Sequence, residues 1–185
     1  MNVCTYCGEE ANTVDHVPPR GLIRPSRWIN LWTVPSCKRC NGGSSRDEEY
    51  FRMMVIGAFC HTPEADELFD GPISRSMDHR PAKEGWLFGA LGTQDGLPFV
   101  ELVPETLERV ACKIVTGLAC KVSAEPVPVN AVVTLDEIEG RGEHVNWAPD
   151  FSFTRTPSHW ELWFFDSVRV VVHPAETITP ASRIR

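Results

Sequence analysis

Four of the seven cysteines in this 185-residue chain form two tight pairs, Cys4-Thr-Tyr-Cys7 and Cys37-Lys-Arg-Cys40. A Cys-x2-Cys turn offers two thiolates at the bite a tetrahedral zinc requires, and two such turns complete its shell. The 29 residues between Cys7 and Cys37 make a long insert, but loop-closure entropy rises only slowly with length. The spacing therefore predicts one zinc held by Cys4, Cys7, Cys37 and Cys40. Four thiolates leave no open coordination position, so this ion is structural and any catalysis lies elsewhere. The other three cysteines, Cys60, Cys112 and Cys120, sit among apolar residues and read as buried small hydrophobes.

Residues of a different chemistry lie inside the insert. Asp15-His16 is followed by Asn30, and Asn41 comes directly after the last thiol. An imidazole titrates near neutrality and can take a proton from water. One carboxylate and one amide oxygen can hold a hard divalent ion with positions left for phosphate oxygens and water. Adjacent residues on a strand point to opposite faces. Asp15 and His16 would therefore flank one phosphate only if the strand is twisted or the substrate lies along its edge.

The charge around these residues is unusual for the chain. The net charge is −7, yet residues 16–46 carry six cations (Arg20, Arg24, Arg27, Lys38, Arg39 and Arg46) and no Asp or Glu. An island of positive charge in an acidic protein is where a polyanion would dock, and cations of this kind hold backbone phosphates without reading sequence. Lys38 and Arg39, inside a zinc turn, are expected to face outward. Trp28 and Trp32 flank Asn30 and read as packing of a small core rather than as platforms for bases. His61, His79, His144, His159 and His173 lack metal-like spacing and read as structural or exposed.

The order Cys-x2-Cys, Asp-His, Asn, Cys-x2-Cys-Asn resembles the HNH endonuclease family, whose core is the ββα-metal finger. The phrases TVDHVPPR, NLWTVPSCKRCN and SRDEEYF resemble its bacterial, zinc-knuckle-bearing branch, over about residues 1–55. The resemblance implies DNA as substrate, with RNA left open. It implies that Asp15 binds one divalent metal, Mg2+ or Mn2+, that His16 is the general base, and that Asn41 is the second protein ligand of that metal. It implies that Asn30 holds the loop and orients His16. The last position is Asn rather than the His of the family name, which favours hard, oxygen-preferring ions. The Pro- and Arg-rich loop between His16 and Asn30 makes contacts the motif does not specify.

Positioning these groups falls to a few elements. Residues 13–17 and 31–34 read as short strands, the first with apolar Val14 and Val17 around Asp15-His16. Ser44 and Ser45, followed three residues later by Asp47 and Glu48, give a capping-box pattern for a helix over 47–60. Thr62-Pro63-Glu64 reads as another helix start, and residues 71–85 as a connector. Residues 98–103 and 130–138 read as strands. Residues 104–122 read as a helix interrupted by Gly117. Residues 160–165 and 168–172, around Asp166-Ser167, read as a hairpin. The expected class is α+β: an N-terminal ββα-metal HNH core over 1–60, a smaller α+β accessory region over 61–176, and a flexible tail over 177–185.

Composition limits the alternatives. With 42% hydrophobic and 23% charged residues the chain reads as an ordinary globular protein. No apolar run approaches the ~18 residues of a membrane span. The start, MNVCTYCGEE, lacks the basic and apolar segments of an export signal, and an odd number of cysteines suits a reducing cytoplasm. Besides an active nuclease, two readings stand: a zinc-stabilised nucleic-acid-binding module without activity, and a subunit of a larger defence or restriction complex. In the second, residues 61–176 offer a surface to a protein partner or a second copy of the chain.

Overall fold

Strand β1 (Thr13–Val17) pairs antiparallel with β2 (Trp32–Ser36), placing Asp15 opposite Val34 and His16 opposite Thr33. Val14 and Val17 are three apart, so a period of two cannot bury both. The strand buries Asp15 and Val17 and leaves Val14 57% exposed. Val17 is chosen because its face meets the rest of the protein, and Asp15 is carried inward with it. Two 3-10 turns, Arg20–Leu22 and Pro25–Asn30, fill the connection, with Leu22 at the end of the first and Ile23 just after it driven into the core.

These elements belong to a computed structural model that describes residues 2–60, 62–79, 85, 89–95, 97–122, 131–137, 145–148 and 150–174. After β2 come α1 (Lys38–Gly43) and α2 (Ser45–Phe59). Ser44 caps α2 in helical conformation, because α1 runs almost directly into α2. The expected capping box is therefore absent, and the Ser44 hydroxyl donates to Glu48 Oε1 at 2.7 Å instead. Helix α2 buries Phe51 and the continuous run Met53–Met54–Val55–Ile56, so it is enclosed on most of its circumference.

The chain continues through α3 (Pro63–Leu68), a π turn (Phe69–Ile73) and α4 (Ser74–Asp78). The Thr62 hydroxyl caps α3 by accepting from the Ala65 amide at 3.3 Å, as the Thr-Pro-Glu sequence predicts. The connector expected from residue 71 is thus helical as far as Asp78. A short hairpin, β3 (Leu91–Gln94) with β4 (Leu97–Val100), precedes α5 (Pro104–Lys121). Helix α5 buries Leu107, Val110, Ala111, Ile114, Val115 and Leu118, the spacing of one apolar helical face. Gly117 does not interrupt it.

Five strands complete the fold: β5 (Ala131–Glu137), β6 (Val145–Ala148), β7 (Phe151–Arg155), β8 (Trp160–Phe164) and β9 (Val168–Pro174). They form one antiparallel sheet in the order β5-β9-β8-β7-β6. The β8–β9 hairpin turns on Phe165 and Asp166, both at φ 53°, with Ser167 N–H donating to Phe164 O at 3.1 Å. The class is α+β, as expected. Residues beyond 60 supply α5 and the whole large sheet. One apolar cluster runs from Val17, Val34 and Phe51 through Ile114 and Leu118 to Phe151, Phe164 and Val170. The expected tail over 177–185 lies outside the described residues. Among the described residues no helix is long and apolar enough to cross a membrane.

Candidate functional site

The first cysteine pair lies on a turn closed by Gly8 N–H to Cys4 O at 3.0 Å, with Gly8 at φ 79°, a conformation that favours glycine. Thr5 N–H donates to Pro35 O at 3.0 Å, which docks this turn on β2. The second pair opens α1, where Cys37 is the N-cap and its Sγ accepts from Cys40 N–H at 3.4 Å. The ligand atoms of Cys4, Cys7, Cys37 and Cys40 all lie within 4.8 Å of one another. Cys7 and Cys37 Sγ are 3.7 Å apart, close to the ~3.8 Å edge of a tetrahedron with 2.3 Å zinc–sulfur bonds. All four are free thiols. Burial pushes the Cys4 thiol up, but the backbone amides of Cys37, Tyr6 and Cys7 outweigh it and bring it down to about 6. Cys40 is pushed up to about 12, by burial and then by its sulfur neighbours. Four sulfurs this close cannot all ionise without a cation, and the donor set fits a structural zinc.

Asp15 points to the other side of the hairpin from His16. Its Oδ1 accepts from the backbone N–H of His16 at 2.9 Å. Its Oδ2 is 2.7 Å from the ammonium of Lys113, on α5. The same ammonium lies 2.5 Å from Glu48 Oε1 and 2.6 Å from Ser44 Oγ. It also sits over the Tyr6 ring, 5.2 Å from the centroid. Burial works against the charge on Lys113, yet Asp15 and Glu48 outweigh it and hold the ammonium above its ordinary pKa. Burial and the neighbouring charge of Asp15 push the Tyr6 phenol well up, so it stays neutral.

His16 is half-buried on the opposite face. Burial and the positive charge of Arg20 lower its pKa, and Asp15 opposes them only in part. The ring is therefore neutral at pH 7 and able to accept a proton. Asn41, in α1, donates its amide N–H to Thr13 Oγ1 at 3.1 Å and Val14 O at 2.9 Å. It is tied to β1 one residue before Asp15, through its nitrogen. Asn30 ends the second 3-10 turn.

The cations divide into two groups. Arg20, Arg27, Lys38, Arg39 and Arg46 are exposed. Arg20 packs over the Trp28 ring at 5.3 Å, and the Trp28 indole N–H donates to Arg20 O and Ile23 O. Trp28 thus folds the loop. Trp32 packs edge-on against Phe153. Lys38 and Arg39 face outward as expected, with Arg39 held beside the Cys7 sulfur. Arg24 stands apart. It is bound at both ends of its guanidinium, to Asp150 at 2.7 Å and to Glu67 at 3.0 Å, with a side chain only 12% exposed. The completely buried Asp150 makes this pair a structural bolt.

Cys60 is buried as expected, but Cys112 is half-buried and Cys120 exposed, because α5 turns their sides away from the core. His79 is exposed, and His159 and His173 lie side by side with ring centroids 5.1 Å apart. His61 and His144 lie outside the described residues. The sequence reading missed Tyr6, Glu48 and Lys113. One signal was available for Lys113: it stands one helical turn from Gly117, bordering the apolar face of α5. No family model, curated protein or solved structure matches this chain.

Proposed function

We propose that the chain is a phosphodiester hydrolase of the HNH type, an endonuclease acting on DNA, with His16 as its general base. The observation that carries the reading is a half-exposed, neutral imidazole beside Arg20 on a hairpin flanked by the thiol tetrad. Exposed Arg20 and Arg27 in the β1–β2 loop, and Lys38, Arg39 and Arg46 in the helices that follow β2, suit a phosphate backbone. His16 takes the proton of a water, the water oxygen forms a bond to phosphorus, and the opposite P–O bond breaks, its leaving oxygen taking a proton from bulk water. Arg20 supplies positive charge to the phosphate oxygens. Asn30, closing the loop, is the residue assigned to positioning.

The resemblance would add Mg2+ or Mn2+ between Asp15 and Asn41. The residues do not fit that ion as they stand, since the Asp15 carboxylate is engaged by an ammonium and Asn41 turns its nitrogen to β1. The same contact favours a second reading, a zinc-stabilised module that binds nucleic acid without cleaving it. RNA as substrate, and work within a protein complex or a homodimer, are compatible with both.

Supercoiled plasmid incubated with the zinc-loaded protein decides between them, run with and without added divalent ions beside His16→Ala. Nicking or linearisation that falls about 100-fold or more in His16→Ala is the expected outcome. Cleavage unchanged by that substitution removes His16 from the mechanism. Salt-sensitive binding with no cleavage leaves the second reading.

A further inference from the structure

We infer that the ammonium of Lys113 fills a cation position built by Asp15, Glu48 and Ser44, so that a tethered positive charge occupies the Asp15 carboxylate that the HNH reading assigns to a divalent ion. The inference deepens that reading, but it concerns cation occupancy and is measured without any cleavage.

Three oxygens converge on one nitrogen: Asp15 Oδ2 at 2.7 Å, Ser44 Oγ at 2.6 Å and Glu48 Oε1 at 2.5 Å. They come from three separate elements, β1, the α1–α2 junction and α2, so the convergence is a product of the fold and not of local sequence. All are hard oxygen donors of the kind Mg2+ and Mn2+ accept. Asp15 is 6% exposed, and its Oδ2 has no hydrogen-bond partner in good geometry despite the short distance to the ammonium. That oxygen is held by the charge of the ammonium, and the Tyr6 phenol lies beside the same carboxylate. Two carboxylates face one ammonium, which leaves the cluster with one excess negative charge.

The helix that carries the tether is fixed against β1. One turn along α5 from Lys113, Gly117 touches Val17, two residues along β1 from Asp15. Four helical residues rise about 6 Å and two strand residues about 6.6 Å. The contacts Lys113–Asp15 and Gly117–Val17 are thus in register, and the second fixes the first. A divalent ion entering between Asp15 and Glu48 must expel an ammonium that the helix holds in place. Ser44, Tyr6 and Lys113, but neither Asp15 nor Glu48, line a cleft of about 660 Å³ that is also bordered by Arg39 and Asp47.

The test is Mn2+ binding by zinc-loaded protein, read by electron paramagnetic resonance, with thermal melting alongside. Lys113→Met removes the ammonium and leaves the two carboxylates without a counter-ion. It should bind about one Mn2+ per chain, at least about tenfold more tightly than the wild type, and melt higher when Mn2+ is added. Adding Asp15→Asn to Lys113→Met should abolish the gain. Lys113→Gln, a polar side chain, repeats the measurement if Lys113→Met folds poorly. Mn2+ binding by the wild type that is as tight and as dependent on Asp15 would overturn the inference. So would a folded Lys113 variant that gains no Mn2+. If both variants stay unfolded even in Mn2+, the inference also fails, because the ion should restore the missing charge. Plasmid cleavage by the wild type is independent of each of these results.

Discussion

A histidine works as a base at neutral pH only while its ring is unprotonated, and His16 has two reasons to stay so. Half-burial disfavours the charged ring, and Arg20 adds a like charge nearby. Because the folded-state pKa lies below the unfolded value, the unfolded chain binds the extra proton first as pH falls. Above the ordinary value of 6.5 the effect on stability vanishes, and below it the native state loses stability until the folded pKa is reached. Arg20→Ala should move the His16 titration upward toward the ordinary value without passing it, since burial remains. The chemical shift of the His16 ring proton against pH reads this directly, and the acid limb of any cleavage activity should move with it. A midpoint that stays in place would mean that Arg20 does not set the charge of the ring.

At the scale of elements, what aims Asp15 and His16 is the seat of β1 on α5. The seat is close: a Cβ built on Gly117 would lie 2.5 Å from Val17 Cγ2, which no packed pair tolerates. Gly117→Ala gains up to about 1 kcal/mol of helix propensity and should still destabilise the protein, because overpacking costs about 1–3 kcal/mol. It should also pull Lys113 from Asp15. Val17→Ala in the same chain should recover part of the loss, and denaturant melts of the two single variants and the double variant give the coupling. Additive losses would show that the two residues do not meet. Gly117 read as an interruption of the helix because sequence shows the missing side chain and not the strand that needs the space. The apolar spacing of α5, the Thr62-Pro63 start and the β8–β9 hairpin were legible because local patterns set them. The Lys113–Asp15 contact was not, since it joins residues 98 apart through a shared core that only the fold assembles. The thiol tetrad, also distant in sequence, was legible because its ligand spacing is itself a local signature.

Over the whole molecule, the continuous core means that the tetrad and the sheet should stand or fall together. Stripping zinc with a chelator should lower the melting temperature of the entire chain, not of its first 60 residues alone, and readdition should restore it. Zinc-dependent folds draw their folding free energy from such ions. A melt unchanged by chelation, or no stoichiometric zinc by elemental analysis, would show that the tetrad holds no metal. The second link is Arg24–Asp150, which bolts the β1–β2 loop to the first turn before β7. Arg24 N–H and its guanidinium together give the Asp150 carboxylate bonds at 2.7 to 3.1 Å. Asp150 is fully buried, so Asp150→Ala leaves a buried guanidinium with only Glu67 at the surface to answer it. The cost should be about 3–5 kcal/mol. Because the loop carries no core of its own, Trp28 on the loop and Trp160 and Trp163 in the sheet should report one coincident denaturant transition, shifted together by the substitution. Separate transitions would instead place a domain boundary between the hairpin and the sheet, and the charge at residue 24 would then be free to move to a phosphate.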